Sequence, residues 1–163
     1  MTVLSSLHSA PVAPPEPAAL TAPAPPNATA LRLGYLALLP FVLGALLVWG
    51  VRADAHVYAS AALSAYAAVV VAFLGGIHWG LAMRQPQPPT TLLTWSVVPA
   101  LVACVAVVMQ PYAGLVIHGV MIVACYLVDR KVYPVQGVGA WLTLRFRLSV
   151  VASLSCFVGA AGS

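Results

Sequence analysis

Four ionisable side chains fall at the ends of strongly apolar segments and could together form a buried polar site. His78 lies in FLGGIHWG, Asp129 in LVDR, and Arg145 and Arg147 in RFR. Ionisable residues inside membrane-spanning segments are costly, so they usually face other helices and pair with one another. Aromatic and hydroxyl residues are expected at similar depth. The candidate ligand-binding residues are therefore His78, Trp79, Asp129, Arg145, Arg147, Tyr35, Trp95 and Ser96.

Asp129 is one of three acidic residues in the chain, and its expected partner is Arg145, Arg147 or the adjacent Arg130. Two interpretations stay open. The first is an ion pair that fixes the following segment at the membrane boundary. The second is a site where the surplus arginine charge binds an anionic headgroup or metabolite through bidentate contacts. Because Arg145 and Arg147 are two positions apart, one can face the bundle while the other reaches the lipid headgroups.

His78 also has two interpretations. An intramembrane histidine is a functional candidate because it can exchange a proton near neutral pH. A neutral histidine that donates to a backbone carbonyl is the structural alternative, with Trp79 as an interfacial belt residue. His118 is expected more than ~10 Å away in depth, so the two histidines cannot share a haem iron. No cofactor is predicted.

The sequence contains no strong catalytic signature. A phosphate-binding glycine loop with lysine, an HExxH pattern and a nucleophile elbow are all missing. A single carboxylate near the site excludes paired-acid catalysis there. The three cysteines lie in apolar runs without the spacing of a zinc site or a disulfide framework. These features favour a non-enzymatic role with no catalytic residues and no metal.

The composition requires a membrane. Hydrophobic residues make up 62% of the chain and charged residues 6%, and the mean hydropathy is +0.99. A water-soluble domain of this composition could not cover its surface with charge. Apolar runs of about 20 residues span a bilayer as helices. The sequence predicts an all-α, compact bundle of five transmembrane helices over residues 33–50, 56–83, 91–109, 112–128 and 141–160.

The chain divides into two parts. Residues 1–30 are rich in proline and alanine and lack hydrophobic periodicity, which predicts a disordered tail with no cleaved targeting peptide. Residues 31–163 form the five-helix transmembrane domain.

Basic residues predict the orientation. Five crossings place the termini on opposite sides of the membrane. With the N-terminus inside, six basic residues lie at the inner surface and only Arg52 lies outside. Positive charge favours the cytoplasmic side, so we expect an N-in, C-out protein of a bacterial plasma membrane. Anionic lipid headgroups then account for the net charge of +4 without a nucleic-acid partner.

A stripe of small residues runs along the second helix and ends in a GxxxG pattern. Small residues let helices approach closely, so this stripe predicts packing inside the bundle, with homodimerisation as the alternative. The packing positions are Ser64, Ala68, Ala72, Gly76 and Gly80. Pro40 and Pro99 remove backbone donors and predict kinks in the first and third helices.

Several segments of the chain resemble the transmembrane protein 69 family. They are LGYLALLPFVLGALL, FLGGIHWGLAM, WSVVPAL, LVDR and the W…RFRLSV entry to the last helix. The resemblance covers about residues 31–160, and GGIHWG is its most specific element. It implies a small multi-helix protein of bacterial plasma membranes, or of the mitochondrial membrane in eukaryotes, that carries a domain of unknown function without an established activity.

The sequence therefore predicts a non-enzymatic accessory or binding protein with an inner-leaflet polar site. Its partners would be membrane lipids, and the site would hold an anionic lipid, a quinone-like molecule or a membrane partner. The alternative is transport of a small molecule or ion past His78, along a path opened by the proline kinks. A polar path continuing through Tyr66 and His118 would favour transport, and a site closed on that side would favour binding.

Overall fold

The computed structural model describes residues 24–163. Most of the predicted 1–30 tail lies outside this range. The described chain is helical, with a short 3-10 turn at Gly139–Trp141. The helices are α1 (Ala28–Leu36), α2 (Leu39–Gly50), α3 (Ala53–Met83), α4 (Thr90–Val107), α5 (Pro111–Val135) and α6 (Leu142–Ala161).

The predicted fold class is confirmed. Five segments of the described chain are long and apolar enough to cross a membrane, with mean hydropathy from 1.4 to 2.1. The first of them joins α1 and α2, and the last joins the 3-10 turn and α6. A helix satisfies its own backbone hydrogen bonds, which is why an apolar chain of this kind forms helices in lipid.

The first span is broken where Pro40 predicts a kink. α1 starts five residues earlier than expected, with Asn27 capping its first turn by a 2.8 Å hydrogen bond from the Ala30 N–H. It ends at Leu36, and α2 begins at Leu39 with Pro40 in its first turn. At the break, the Tyr66 hydroxyl donates to the Ala37 carbonyl oxygen at 2.8 Å. A neighbouring helix thus supplies a donor at the break.

α3 is the central helix of the bundle, in contact with α2, α4, α5 and α6. Its inner face carries large apolar side chains, and it approaches α4 closely at Gly75, where a Cβ atom would collide with the Ser96 carbonyl oxygen. Pro99 packs against the same glycine, and α4 continues through it as a helix. The close α3–α4 contact therefore depends on Gly75.

The small-residue stripe faces the bundle only at one end. Ser64 is buried, and Ala68 and Ala72 are partly buried. Gly76 and Gly80 are exposed, and a Cβ atom added at either would meet nothing within 4 Å. The expectation of interior packing is corrected at these two glycines, because helical periodicity drifts across a four-residue repeat and brings Gly75 to the contact instead.

α5 is two turns longer than the sequence suggests. The segment after Val128, expected as a break, continues as helix to Val135. Its termination is a Schellman motif: Gly137 has φ 73° and donates to Pro134, and Val138 donates to the Tyr133 carbonyl at 2.9 Å. Buried Asp129 and Tyr133 lie on this added segment, so the extension carries part of the polar site into the bundle.

Candidate functional site

Three of the predicted residues meet at one end of the bundle. His78 comes from the last turns of α3, Asp129 from the last turns of α5, and Arg145 from the first turn of α6. Because α3 and α5 run opposite to α6, their ends share a level with its beginning. His78 and Asp129 are 0% and 1% exposed, and the Arg145 side chain is 11% exposed. We call these three residues the buried triad.

Arg145 holds Asp129 through one carboxylate oxygen. The Arg145 Nε and Nη2 groups donate to Oδ2 of Asp129 at 2.9 and 2.6 Å. A guanidinium has five N–H donors, so three of them remain for other partners. The charges of the pair cancel, which makes burial of the aspartate tolerable.

The other oxygen of Asp129 faces His78. Nε2 of His78 lies 3.2 Å from Oδ1. Although this distance is within hydrogen-bonding range, the two atoms are not aligned as a hydrogen bond, and neither has another partner. On the opposite side of the ring, Nδ1 lies 3.2 Å from the Leu74 carbonyl oxygen. Buried polar atoms without partners are rare in folded proteins.

An apolar groove opens beside Arg145. Its volume is about 280 Å³, and it lies between α1, α2, α3, α5 and α6. Arg145 and Ser149 are its polar lining residues. The Ser149 hydroxyl is buried and has no hydrogen-bond partner. The remaining lining residues are Leu33, Gly34, Ala37, Leu38, Phe41, Val70, Phe73, Leu74, Ile122, Leu148 and Ala152.

Sequence reasoning missed two residues here. Ser149 is one helical turn after Arg145, and this spacing places both on one face of α6. That signal was present in the sequence. Tyr133 is 4% exposed, and its ring centroid lies 6.5 Å from that of His78. Its position could not be expected while the end of α5 was interpreted as a loop.

Arg147, Tyr35 and Trp79 lie outside the triad. Arg147 points away from Arg145 and donates to the exposed Tyr35 hydroxyl at 3.2 Å. Two positions along a helix place side chains on different faces, which explains the divergence of the two arginines. Trp79 is 49% exposed, on the lipid-facing side of α3.

Trp95 and Ser96 are also separate from the triad. The Ser96 hydroxyl donates to the Leu93 carbonyl at 2.5 Å within α4. Trp95 lines a different cavity, of about 310 Å³, between α4 and α5, where Lys131 and Gln136 are its neighbours. The eight predicted residues therefore divide into the buried triad, three exposed residues, one residue at a separate cavity and the buried Ser96.

His118 lies in the other half of the bundle. It is eleven residues before Asp129 on α5, or about 16 Å along the helix axis. The ring is fully buried, and neither nitrogen has a partner. Between the two levels lie buried apolar residues that include Val71, Leu74 and Ile122. In residues 24–163, no three His, Cys, Asp or Glu side chains are grouped to hold a metal ion.

Sequence comparison places the chain in a family. The family described as "Protein of unknown function (DUF3429)" matches residues 26–161, which include all six helices and the whole buried triad. The chain belongs to this DUF3429 family. A relative of the DUF3429 chain is "Transmembrane protein 69" of Xenopus tropicalis, 38% identical over 135 residues.

That alignment covers 77% of this chain and 51% of the frog protein. The chain thus spans about half the length of the curated relative it matches. No solved structure matches this DUF3429 chain. The resemblance to the transmembrane protein 69 family is confirmed, and the chain is an integral membrane protein of a family without an assigned function.

Proposed function

We propose that this protein is a non-enzymatic binding protein that holds an amphipathic molecule of the membrane. The observation that carries the proposal is the groove beside Arg145. Its lining is mostly apolar, its polar lining residues are Arg145 and Ser149, and the Ser149 hydroxyl is buried there without a partner. A ligand with an oxygen-bearing head and an apolar body matches this distribution.

The hydrogen-bond donors at the groove determine which head group the ligand can have. Arg145 has three N–H donors beyond those used by Asp129, and Ser149 adds a hydroxyl. Oxygens of a phosphodiester, a carboxylate or a quinone carbonyl can accept from both residues. The chemistry shared by these heads is an accepting oxygen, and its source would be a membrane lipid or a quinone-like molecule.

The interior of the bundle favours binding over transport. A permeation path would need polar side chains or water between the levels of His78 and His118. On α3 and α5 the layer between them consists of apolar side chains such as Val71 and Ile122, and the buried hydroxyls at this depth, which include Ser149 and Ser153, all lie on α6. The Tyr66 hydroxyl, a possible continuation of such a path, instead donates to the Ala37 backbone. With the N-terminus inside, as the basic residues predict, the triad and its groove lie in the inner leaflet of a plasma membrane.

Native mass spectrometry of the protein extracted from its own membrane tests this proposal. We expect a retained amphiphile on the wild-type protein, and lipid analysis of the same sample separates a phospholipid from a quinone. Ser149→Ala removes the groove hydroxyl, and Ala37→Phe fills the exposed edge of the groove; both should reduce retention.

Ser153→Ala is the matched control. Ser153 lies one turn further along α6, its hydroxyl donates to the Val150 carbonyl, and it does not line the groove. Ser153→Ala should retain as much of the amphiphile as the wild-type protein does. Equal retention in all three variants, with a lipid profile that matches the bulk membrane, would contradict the proposal.

A further inference from the structure

The one hydrogen bond of the His78 ring fixes which of its nitrogens carries a hydrogen. Nδ1 lies 3.2 Å from the Leu74 carbonyl oxygen. A carbonyl oxygen can only accept, so Nδ1 must donate. In a neutral imidazole the other nitrogen, Nε2, is then an acceptor. Nε2 therefore carries a lone pair, on the side of the ring that lies near Asp129.

Oδ1 of Asp129 presents a lone pair to the same contact. An ionised carboxylate only accepts, and this oxygen lies 3.2 Å from Nε2 of His78. Two acceptors at this distance repel each other unless a proton lies between them. Both atoms are enclosed and have no other partner, so neither can turn to water instead. A proton on Nε2, together with a small rotation that aligns the two atoms, would turn this contact into a hydrogen bond.

That proton would change the charge of the triad. Without it, the Arg145 cation and the Asp129 anion cancel, and His78 is neutral. With it, the triad carries one net positive charge inside an apolar bundle. Such a charge is unfavourable in a low-dielectric interior unless an anion is brought to it.

The surrounding helices offer no second anion. The titratable neighbours on α5 are Cys125 and Tyr133, and on α6 it is Arg145 itself. α4 contains no charged residue, and α2 contains no titratable side chain. On α1, Arg32 and Tyr35 are exposed. The other acidic residue in the described range, Asp54, is exposed beside Arg52 near the start of α3.

We infer that the triad takes up one proton, between Nε2 of His78 and Oδ1 of Asp129, when an amphiphile with a singly charged anionic head binds at Arg145. The inference rests on the proposed function, because the groove must hold the amphiphile. The proton comes from water, and no covalent bond is made or broken in the ligand. The class of ligand and the protonation of the triad are thereby linked. The negative charge of the head group cancels the positive charge that the proton adds, so the occupied site is neutral.

Proton-counting calorimetry tests this link. The probe is dioctanoyl phosphatidylglycerol, whose phosphodiester stays singly charged across the range used. Its binding to the full chain in an uncharged detergent is measured between about pH 5 and pH 9, in two buffers with different ionisation enthalpies. We expect uptake of up to one proton per bound lipid, and a Kd that weakens by up to about tenfold per pH unit toward the alkaline end.

Two variants and a second probe locate the proton. His78→Gln should bind the probe without proton uptake. His118→Gln removes another fully buried histidine, which is about 16 Å from Asp129 along α5 and does not line the groove, and should leave both affinity and proton uptake unchanged. Neutral decylubiquinone is the second probe, and its binding should show no uptake. The number of protons taken up by the wild-type protein is measured directly, so this result holds even if a variant fails to fold.

The outcomes separate the inference from the proposed function. Probe binding without proton uptake, or with uptake that persists in His78→Gln, would overturn the inference and leave the binding function standing. Binding of decylubiquinone but not of the lipid would do the same. Failure of both probes to bind would overturn the proposed function, and the inference with it.

Discussion

Arg145 donates two N–H groups to Oδ2 of Asp129, at 2.9 and 2.6 Å, and leaves Oδ1 free to face His78. The carboxylate is thus divided between a fixed ion pair and an open contact. This division lets Asp129 hold α5 and α6 together while its second oxygen remains available. Structural and functional interpretations of the aspartate are therefore compatible, since each uses a different oxygen.

Removing one member of the ion pair should destabilise the protein more than removing both. Asp129→Leu leaves the Arg145 charge buried without its partner, which costs about 3–5 kcal/mol. Asp129→Leu with Arg145→Met replaces both charges by apolar groups and should recover most of that loss. Thermal unfolding in detergent measures the difference.

Arg147→Gln is the control for this comparison, because Arg147 contacts only the exposed Tyr35 hydroxyl among the hydrogen bonds of residues 24–163. Its unfolding temperature should stay close to that of the wild type. A double variant less stable than Asp129→Leu alone would show that the pair has another structural role.

Adjacent glycines on α3 should respond in opposite ways to the same substitution. Gly75→Val would drive a side chain into the Ser96 carbonyl of α4, so the α3–α4 contact must open and the protein should lose stability. Gly76→Val meets open space and should be tolerated. Size-exclusion chromatography of fluorescent fusions after heating distinguishes the two. Equal tolerance at both positions would contradict the described contact.

The Tyr66 hydroxyl should contribute measurably to the first span. Tyr66→Phe removes the donor to the Ala37 carbonyl at the break before Pro40, and the expected loss is about 1 kcal/mol. Tyr58→Phe is the control, because Tyr58 is 76% exposed on the same helix. Matching unfolding temperatures for the two variants would show that the carbonyl has another donor.

Basic residues predict the direction of the chain in the membrane. With an N-in, C-out arrangement, a reporter that works only outside the cytoplasm should be active when it is fused after Ser163. A reporter that works only in the cytoplasm should be active when it is fused within the turn at 136–138. The second fusion tests the leaflet of the triad, which lies at the same end of the bundle. Cytoplasmic activity of the C-terminal fusion would contradict this orientation.

Composition was sufficient to predict the five spans, because so few charged residues leave no alternative to a bilayer. The sequence also predicted that His78, Asp129 and Arg145 lie at a similar depth in the membrane, because successive helices run in opposite directions. The sequence did not indicate which faces of the helices contact one another. The four-residue repeat along α3 favoured Gly76, and only the packed structure places Gly75 against α4.

The end of α5 shows why the rest of the site was harder to predict. Asp129, Arg130 and Lys131 in sequence resemble the end of a membrane helix, since three consecutive charges are costly inside lipid. The helix continues because Asp129 finds its partner on α6, a contact between residues sixteen positions apart. The groove likewise depends on five helices and has no signature along the chain.

Photo-crosslinking tests the central claim most directly. A phospholipid with a photoreactive acyl chain is incorporated into vesicles with the protein, and crosslinked peptides are mapped by mass spectrometry. The account predicts crosslinks concentrated on 33–41 and 145–152, the groove segments of α1, α2 and α6, and their loss in Ala37→Phe. An even distribution that also covers lipid-exposed positions outside the groove, such as Leu101 and Val120, would contradict a specific amphiphile site.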